Sequence, residues 1–211
     1  VLESLGLLEG NSFDYPLYIG TAITLALILA SAYLYAYLFA KPMLSMGPSA
    51  LVLLIASVLT VLLCLLMGEY LNINAMPVAL GAMLVVNLLG ARPAYVTNMA
   101  LTLIITLLTA KGTGLVTSQT MSVLLTCSLG GLVAIWMMRK NTTRVMVVVS
   151  GLVVGAVNFG VLVCVRALTS SDMSGVWTDM AYAIGGAVVS AVLCVGLQPI
   201  LETAFNLVTP S

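Results

Sequence analysis

Histidine is absent from these 211 residues, and charge is scarce. The first absence excludes histidine-based metal sites and Ser-His catalytic triads. The second excludes an ordinary soluble surface: 7% of the residues are charged, against roughly 25% in an average soluble domain. Lipid is the solvent that suits the chain, because 62% of its residues are hydrophobic. Seven basic and seven acidic residues cancel, so the charge balance gives no reason to expect a nucleic-acid partner. The four cysteines are Cys64, Cys127, Cys164 and Cys194. Each lies in an apolar run and none forms a CxxC, so they read as small apolar side chains, not as a disulfide framework or a zinc site. No signal peptide is visible, since Glu3, Glu9 and Asp14 precede the first apolar run in place of a basic stretch. The chain runs from Val1 to Thr209-Pro210-Ser211 and is expected to be a piece of a longer protein.

What is present is apolar sequence in runs of membrane-spanning length. A spanning helix needs about 20 such residues. Seven spans are expected, at Leu17–Ala40, Ser49–Gly68, Asn74–Gly90, Tyr95–Ala110, Gln119–Met138, Val145–Leu168 and Trp177–Leu197. The fold class is therefore an all-α polytopic membrane bundle, with the lipid bilayer as its first partner. The fourth span is short and carries Thr97, Asn98, Thr102, Thr106 and Thr109, so it is expected to pack inside the bundle. The breaks have physical causes. Lys41-Pro42 and Gly47-Pro48 separate the first two spans, Arg92-Pro93 the third and fourth, and Lys111-Gly112-Thr113-Gly114 is a turn. A polar loop occupies Thr169–Gly175.

The few charges sort by side. One set of alternate loops holds Lys41, Arg92, Arg139, Lys140 and Arg144, five basic residues, and the other holds two, Lys111 and Arg166. The second side also holds Glu3, Glu9, Asp14, Glu69, Asp172 and Asp179. Cytoplasmic loops are enriched in Lys and Arg, so the N-terminus is expected outside and the C-terminus in the cytoplasm. Tyr15, Tyr18 and Trp177 fall near outer boundaries and Trp136 near an inner one. Arg166 lies 21 residues after Val145, about 31 Å along a helix. It reaches the outer interface and is expected to snorkel or to pair with Glu69 or Asp172.

Polar residues inside spans raise a functional question. Asn87, Asn98, Gln119 and Asn158 are neutral amides, suited to hydrogen bonds between helices at about 0.6 kcal/mol each. The other reading is a polar cavity formed by Asn87, Asn98, Asn158 and the threonines of the fourth span. Gly151 and Gly155 form a GxxxG, and Ala183, Gly186, Ala187, Ser190, Ala191 and Cys194 give the seventh span a small face. Small residues let helices approach closely, within the bundle or across a homodimer. After Pro199, apolar Ile200, Leu201, Ala204, Phe205, Leu207 and Val208 recur at near-helical spacing. A kink or stop at Pro199 is expected, then a short amphipathic helix ended by Thr209-Pro210.

The chain's last residues carry its most specific motif. Gly196, Leu197, Pro199, Leu201, Glu202, Phe205 and Thr209 fit a G-L-x-P-x-L-E-x-x-F-x-x-x-T pattern. It resembles the exit segment of the bacterial seven-transmembrane HD-domain phosphohydrolases of the PgpH type. Weaker similarity covers Met76-Pro77-Val78-Ala79 through Met83-Leu84, and Gly131 past Arg144 and Gly151 to Asn158. The resemblance implies an extracellular domain before Val1, seven spans, and a cytoplasmic HD domain after Ser211 reached through a connector at 199–211. It also implies that the parent hydrolyses cyclic di-AMP at a site of two divalent metal ions held by His and Asp. With no histidine, this chain cannot supply that site, so no catalytic residue and no cofactor are expected in it. The expected role is a sensory or anchoring region. The alternatives are a small-molecule transporter or its substrate-binding subunit, and a pure anchor. The outer loops are short, so a signal is expected to enter mainly through the domain before Val1.

Overall fold

A computed structural model describes residues 15–39, 47–110, 117–140, 143–169 and 175–205. Among them the chain forms seven α-helices and one 3₁₀ turn, with no strand. These are α1 (Tyr15–Phe39), α2 (Gly47–Tyr70), the 3₁₀ turn (Ile73–Ala75), α3 (Leu80–Leu89), α4 (Ala91–Ala110), α5 (Ser118–Met138), α6 (Arg144–Leu168) and α7 (Val176–Phe205). Five of them, α2 and α4 to α7, are long and apolar enough to cross a membrane. The fold is a helical membrane bundle, as composition requires.

On α2 and α7 the buried face is marked by small side chains more than by polarity. On α2, Val52, Ala56, Thr60 and Cys64 are fully buried at a spacing of four, while Leu51, Leu54, Val58 and Leu62 of the same helix face outward. Both faces are apolar, because hydrocarbon does not repel leucine and close backbone approach decides the inner face. On α7 the inner face is Ala183, Ala187, Ala191 and Cys194, and the outer face includes Val188 and Val192. The helix α6 packs between α5 and α7, and α1 packs on α4.

At the centre lies a third pass that is only half a helix. The expected span Asn74–Gly90 is helical over ten residues, Leu80–Leu89, and every one of them is buried. Proline is the cause. Pro77 has no amide proton and drives the preceding residue out of helical geometry, and Met76 accordingly has φ −59° and ψ 130°. Ahead of it, the side chain of Asn72 accepts a 2.9 Å bond from the Asn74 amide and caps the 3₁₀ turn. Irregular backbone at membrane depth must be enclosed by protein. Here α7 encloses it at Gly186, about 15 Å along the helix from Val176, half the depth of a roughly 30 Å hydrocarbon core. A Cβ on Gly186 would lie 2.7 Å from the Ala75 carbonyl oxygen and 2.9 Å from that of Met76. The half-helix then packs against α2, α4, α5 and α7. It ends at Gly90, whose φ of +92° suits glycine.

The helix α7 runs unbroken through Pro199 to Phe205, 30 residues in all. This departs from an expected stop at Pro199 followed by a separate short helix; a kink within the continuous helix is compatible with it. A proline deprives only one carbonyl, that of Val195, of its helical partner. The next turn is held by two local bonds, from the Thr203 hydroxyl to the Pro199 carbonyl and from Gln198 Nε2 to Glu202 Oε1 at 2.8 Å. At about 45 Å, α7 outruns the hydrocarbon core. Thr209 and Pro210 lie outside the described residues.

Candidate functional site

The exit segment is docked on the bundle. Leu201 is buried in the main apolar core, and Phe205, one turn further on, packs against that core. Pro199 and Thr203 are exposed on the other side, and Glu202 is half-buried. The segment is tied to the half-helix by a polar chain. Asn87 of α3, 3% exposed, donates through Nδ2 to Gln198 Oε1 at 3.3 Å and lies 3.4 Å from Cys194 Sγ. The bond from Gln198 to Glu202 continues the line to the surface.

The amides read as a cavity do not gather at one place. Asn87 faces α7, whereas Asn98 and Asn158 flank α5. Asn98 is 2% exposed and donates to the Ser128 carbonyl at 3.3 Å. Its side chain lies where a Cβ on Gly131 would be. On the neighbouring residue, a Cβ on Gly130 would lie 2.9 Å from Asn158 Oδ1. Gly130 and Gly131 thus make room for one amide each, from α4 and α6. The signal for this is a GlyGly pair inside a span, with an asparagine on each adjacent span.

The small-residue motifs serve packing between α6 and α7. A Cβ on Gly151 would lie 2.5 Å from the Ala191 Cβ, and one on Gly155 would lie 3.6 Å from the Ala187 Cβ. Ser190 is fully buried and donates back to the Gly186 carbonyl at 2.8 Å. The GxxxG face is therefore covered by α7. At the opposite end from Gly90, Arg166 pairs with Asp179, joining the last turn of α6 to the first turn of α7. Each charge complements the dipole of its own helix end. Asp172, one expected partner, lies outside the described residues. Trp136 is exposed, with the Arg139 guanidinium 5.9 Å from its ring centre.

These residues do not fit a dinuclear His/Asp metal centre. The sequence has no histidine, and among the described residues no three of His, Cys, Asp and Glu gather. What links the helices here is hydrogen bonds, from Asn87 to Gln198 and from Asn98 to the Ser128 carbonyl, and the ion pair of Arg166 with Asp179.

Comparison with known proteins agrees with the exit motif. The chain is 25% identical over 219 residues to the cyclic-di-AMP phosphodiesterase PgpH of Bacillus subtilis (strain 168), an alignment that takes in 99% of this chain and 30% of that protein. The chain thus spans under a third of the length of that relative. No solved structure matches it. Helical, repeatedly crossing the membrane and similar to a bacterial protein along its length, it is a bacterial multi-pass membrane protein. A family model described as the 7TM receptor with intracellular HD hydrolase matches residues 15–209, and the chain belongs to that family.

Proposed function

We propose that this bundle is the sensory and anchoring membrane region of a receptor-like phosphohydrolase of cyclic di-AMP. In this reading the N-terminus lies outside and α7 leads into a cytoplasmic HD domain that holds two divalent metal ions. The chain itself hydrolyses nothing. It reports on events at or outside the membrane by moving the segment that enters the hydrolase. The polar chain from Asn87 through Gln198 to Glu202 carries the proposal, because it joins the central half-helix to the exit segment. Side-chain bonds of this kind average about 0.6 kcal/mol in membranes. That is too little to hold the bundle together and enough to bias one register of α7 over another. Pro199 sits beside the chain and weakens the helix there by one backbone bond. The test is the hydrolysis rate of the full-length parent in membranes, wild type against Pro199→Ala. A changed rate with an intact metal site supports transmission; equal rates under every condition make the segment an anchor only.

A second reading has one observation in its favour. A pass broken near mid-membrane is how many carriers build a substrate site, and the break at Ala75–Met76 has that form. A carrier moves a labelled solute across sealed vesicles, whereas a sensory bundle binds without flux.

A further inference from the structure

The bundle end that holds Gly90 is basic. Arg139 and Lys140 directly follow α5, Arg144 opens α6 and Arg92 lies in the first turn of α4, and all four are exposed. The contact of Asn98 with Gly131 brings the start of α4 to the end of α5. Arg92 is six residues from Asn98 and Arg139 eight from Gly131, about 9 and 12 Å along their helices. Among the described residues Glu202 is the one acid at this end, and it is half-buried and engaged by Gln198. The segments that join helices here, 40–46 and 141–142, and residues 206–211 add Lys41 to the charge and no acid. No hydrogen bond or ion pair among the described residues engages the side chains of Arg92, Arg139, Lys140 or Arg144, whereas Arg166 at the other end is paired. The first turn of α6 has no acidic residue, so its dipole adds to the positive field there.

Apolar surface adjoins these cations. One turn before Arg139, Trp136 is 61% exposed, and the Arg139 guanidinium lies 5.9 Å from its ring centre. Directly after Arg144, Val145 is 73% exposed, and Val148 is exposed one turn further on.

We infer that the turn between α5 and α6 binds an anionic glycerophospholipid. Its phosphate lies on Arg139, Lys140 and Arg144, and its acyl chains lie on the apolar surface beside them. A soluble phosphate or a nucleic acid would use the cations and leave Trp136 and Val145 in water. A zwitterionic lipid would cover the apolar surface but bring an ammonium group toward uncompensated positive charge. An anionic lipid answers both. A guanidinium beside an indole ring keeps its charge and its N–H donors, and phosphate suits its fork geometry. The rule that enriches cytoplasmic loops in Lys and Arg accounts for the side these residues occupy. It requires neither the exposed ring beside Arg139 nor the lack of acidic partners. A lipid held here fixes the turn at headgroup depth, and that turn joins the two helices on which Gly130 meets Asn158. The proposed phosphohydrolase role enters only in placing this surface in the cytoplasmic leaflet; binding itself does not rest on it.

The experiment reads Trp136 fluorescence in a Trp177→Phe variant of the 211-residue chain, in nanodiscs of phosphatidylcholine with a minor fraction of phosphatidylglycerol. Brominated acyl chains quench tryptophan on contact. They are placed on the phosphatidylglycerol or on an equal mole fraction of the phosphatidylcholine. The anionic lipid is expected to quench Trp136 about fivefold more strongly per mole, equivalent to about 1 kcal/mol, the attraction of one basic residue to an anionic surface. Trp177, read alone in Trp136→Phe, lies at the opposite end and is expected to be quenched equally by both lipids. Changing Arg139, Lys140 and Arg144 together to Gln is expected to erase the preference. Should that variant fail to fold, about 0.5 M salt added to the Trp177→Phe protein is expected to lower the preference at least twofold. Glycerol phosphate in solution is expected to leave the quenching unchanged. The inference is overturned if the two lipids quench Trp136 alike, if Trp177 shows the same preference, or if the preference survives loss of the three charges or added salt. Loss of the preference to soluble glycerol phosphate would also overturn it, by making the turn a site for free phosphate. No hydrolysis is measured, so the result is independent of the proposed enzyme role.

Discussion

Asn87 on the half-helix donates a hydrogen bond to Gln198 on the last helix across 3.3 Å. The two residues are 111 positions apart in sequence, and the bond is their direct link between the centre of the bundle and its exit. The surrounding core is apolar, with Leu84, Leu88, Cys194 and Leu201 all buried in one cluster. Packing there brings α3 and α7 together, and the amide pair favours one register between them.

The enclosure of the broken third pass makes a stability prediction. Gly186→Ala places a methyl group 2.7 Å from the Ala75 carbonyl oxygen, and backbone cannot step aside cheaply. The expected loss is about 1–3 kcal/mol, the scale of overpacking a core. Gly185→Ala meets nothing within 4 Å and is expected to be neutral or slightly stabilising through helix propensity. Thermal melts of the two variants in the same detergent separate the cases, and equal melting temperatures would contradict the docking of Ala75 on Gly186.

A second prediction concerns the amide beside α5. Gly131→Ala collides with the Asn98 side chain and is expected to destabilise by about 1–3 kcal/mol. Asn98→Ala alone removes the 3.3 Å bond to the Ser128 carbonyl, at about 0.6 kcal/mol for a bond of this type. The double variant is expected to be more stable than Gly131→Ala alone, because the smaller side chain vacates the space. A double-mutant cycle measures this coupling, and strict additivity would mean that the two positions do not meet.

Topology supplies a third. A reporter fused after Lys140 is expected to be cytoplasmic and one fused after Asp172 external, since five basic residues fall on one side and two on the other. The chain between them forms α6, 25 residues long. Both reporters on one side would remove α6 as a span and with it the orientation proposed for α7.

How much of this is legible in the sequence depends on which property carries each feature. Helices such as α5 show plainly, because a largely apolar stretch of 21 residues between Thr117 and Arg139 has one economical fate in lipid. The buried face of α2 does not show in hydropathy, because Leu51 and Val52 are equally apolar. It shows only as small residues four apart, at Ala56, Thr60 and Cys64. The third pass is the least legible. Composition over Asn74–Gly90 matches a spanning helix, and the break is written only in Pro77 and the turn-forming Asn72. The asparagines could be recognised as buried, but not as separate: spans do not reveal their neighbours, and Asn87 faces α7 while Asn98 and Asn158 face α5. Arg166 near the end of its span is visible from spacing. Its pairing with Asp179 is not, because the two meet only through the packing of α6 against α7.

The most direct measurement compares cyclic-di-AMP hydrolysis by the full-length parent in membrane vesicles, as wild type, Asn87→Leu, Gln198→Leu and the outward-facing control Val192→Leu. Protein amounts are matched, and melting temperatures are checked for each. If the polar chain transmits the state of the bundle, both polar variants shift kcat by severalfold while KM stays constant, and Val192→Leu matches wild type. If all four proteins hydrolyse at one rate, with and without the native signal, the link from Asn87 to Gln198 does not regulate the enzyme and the account of the bundle as a transmitter is wrong.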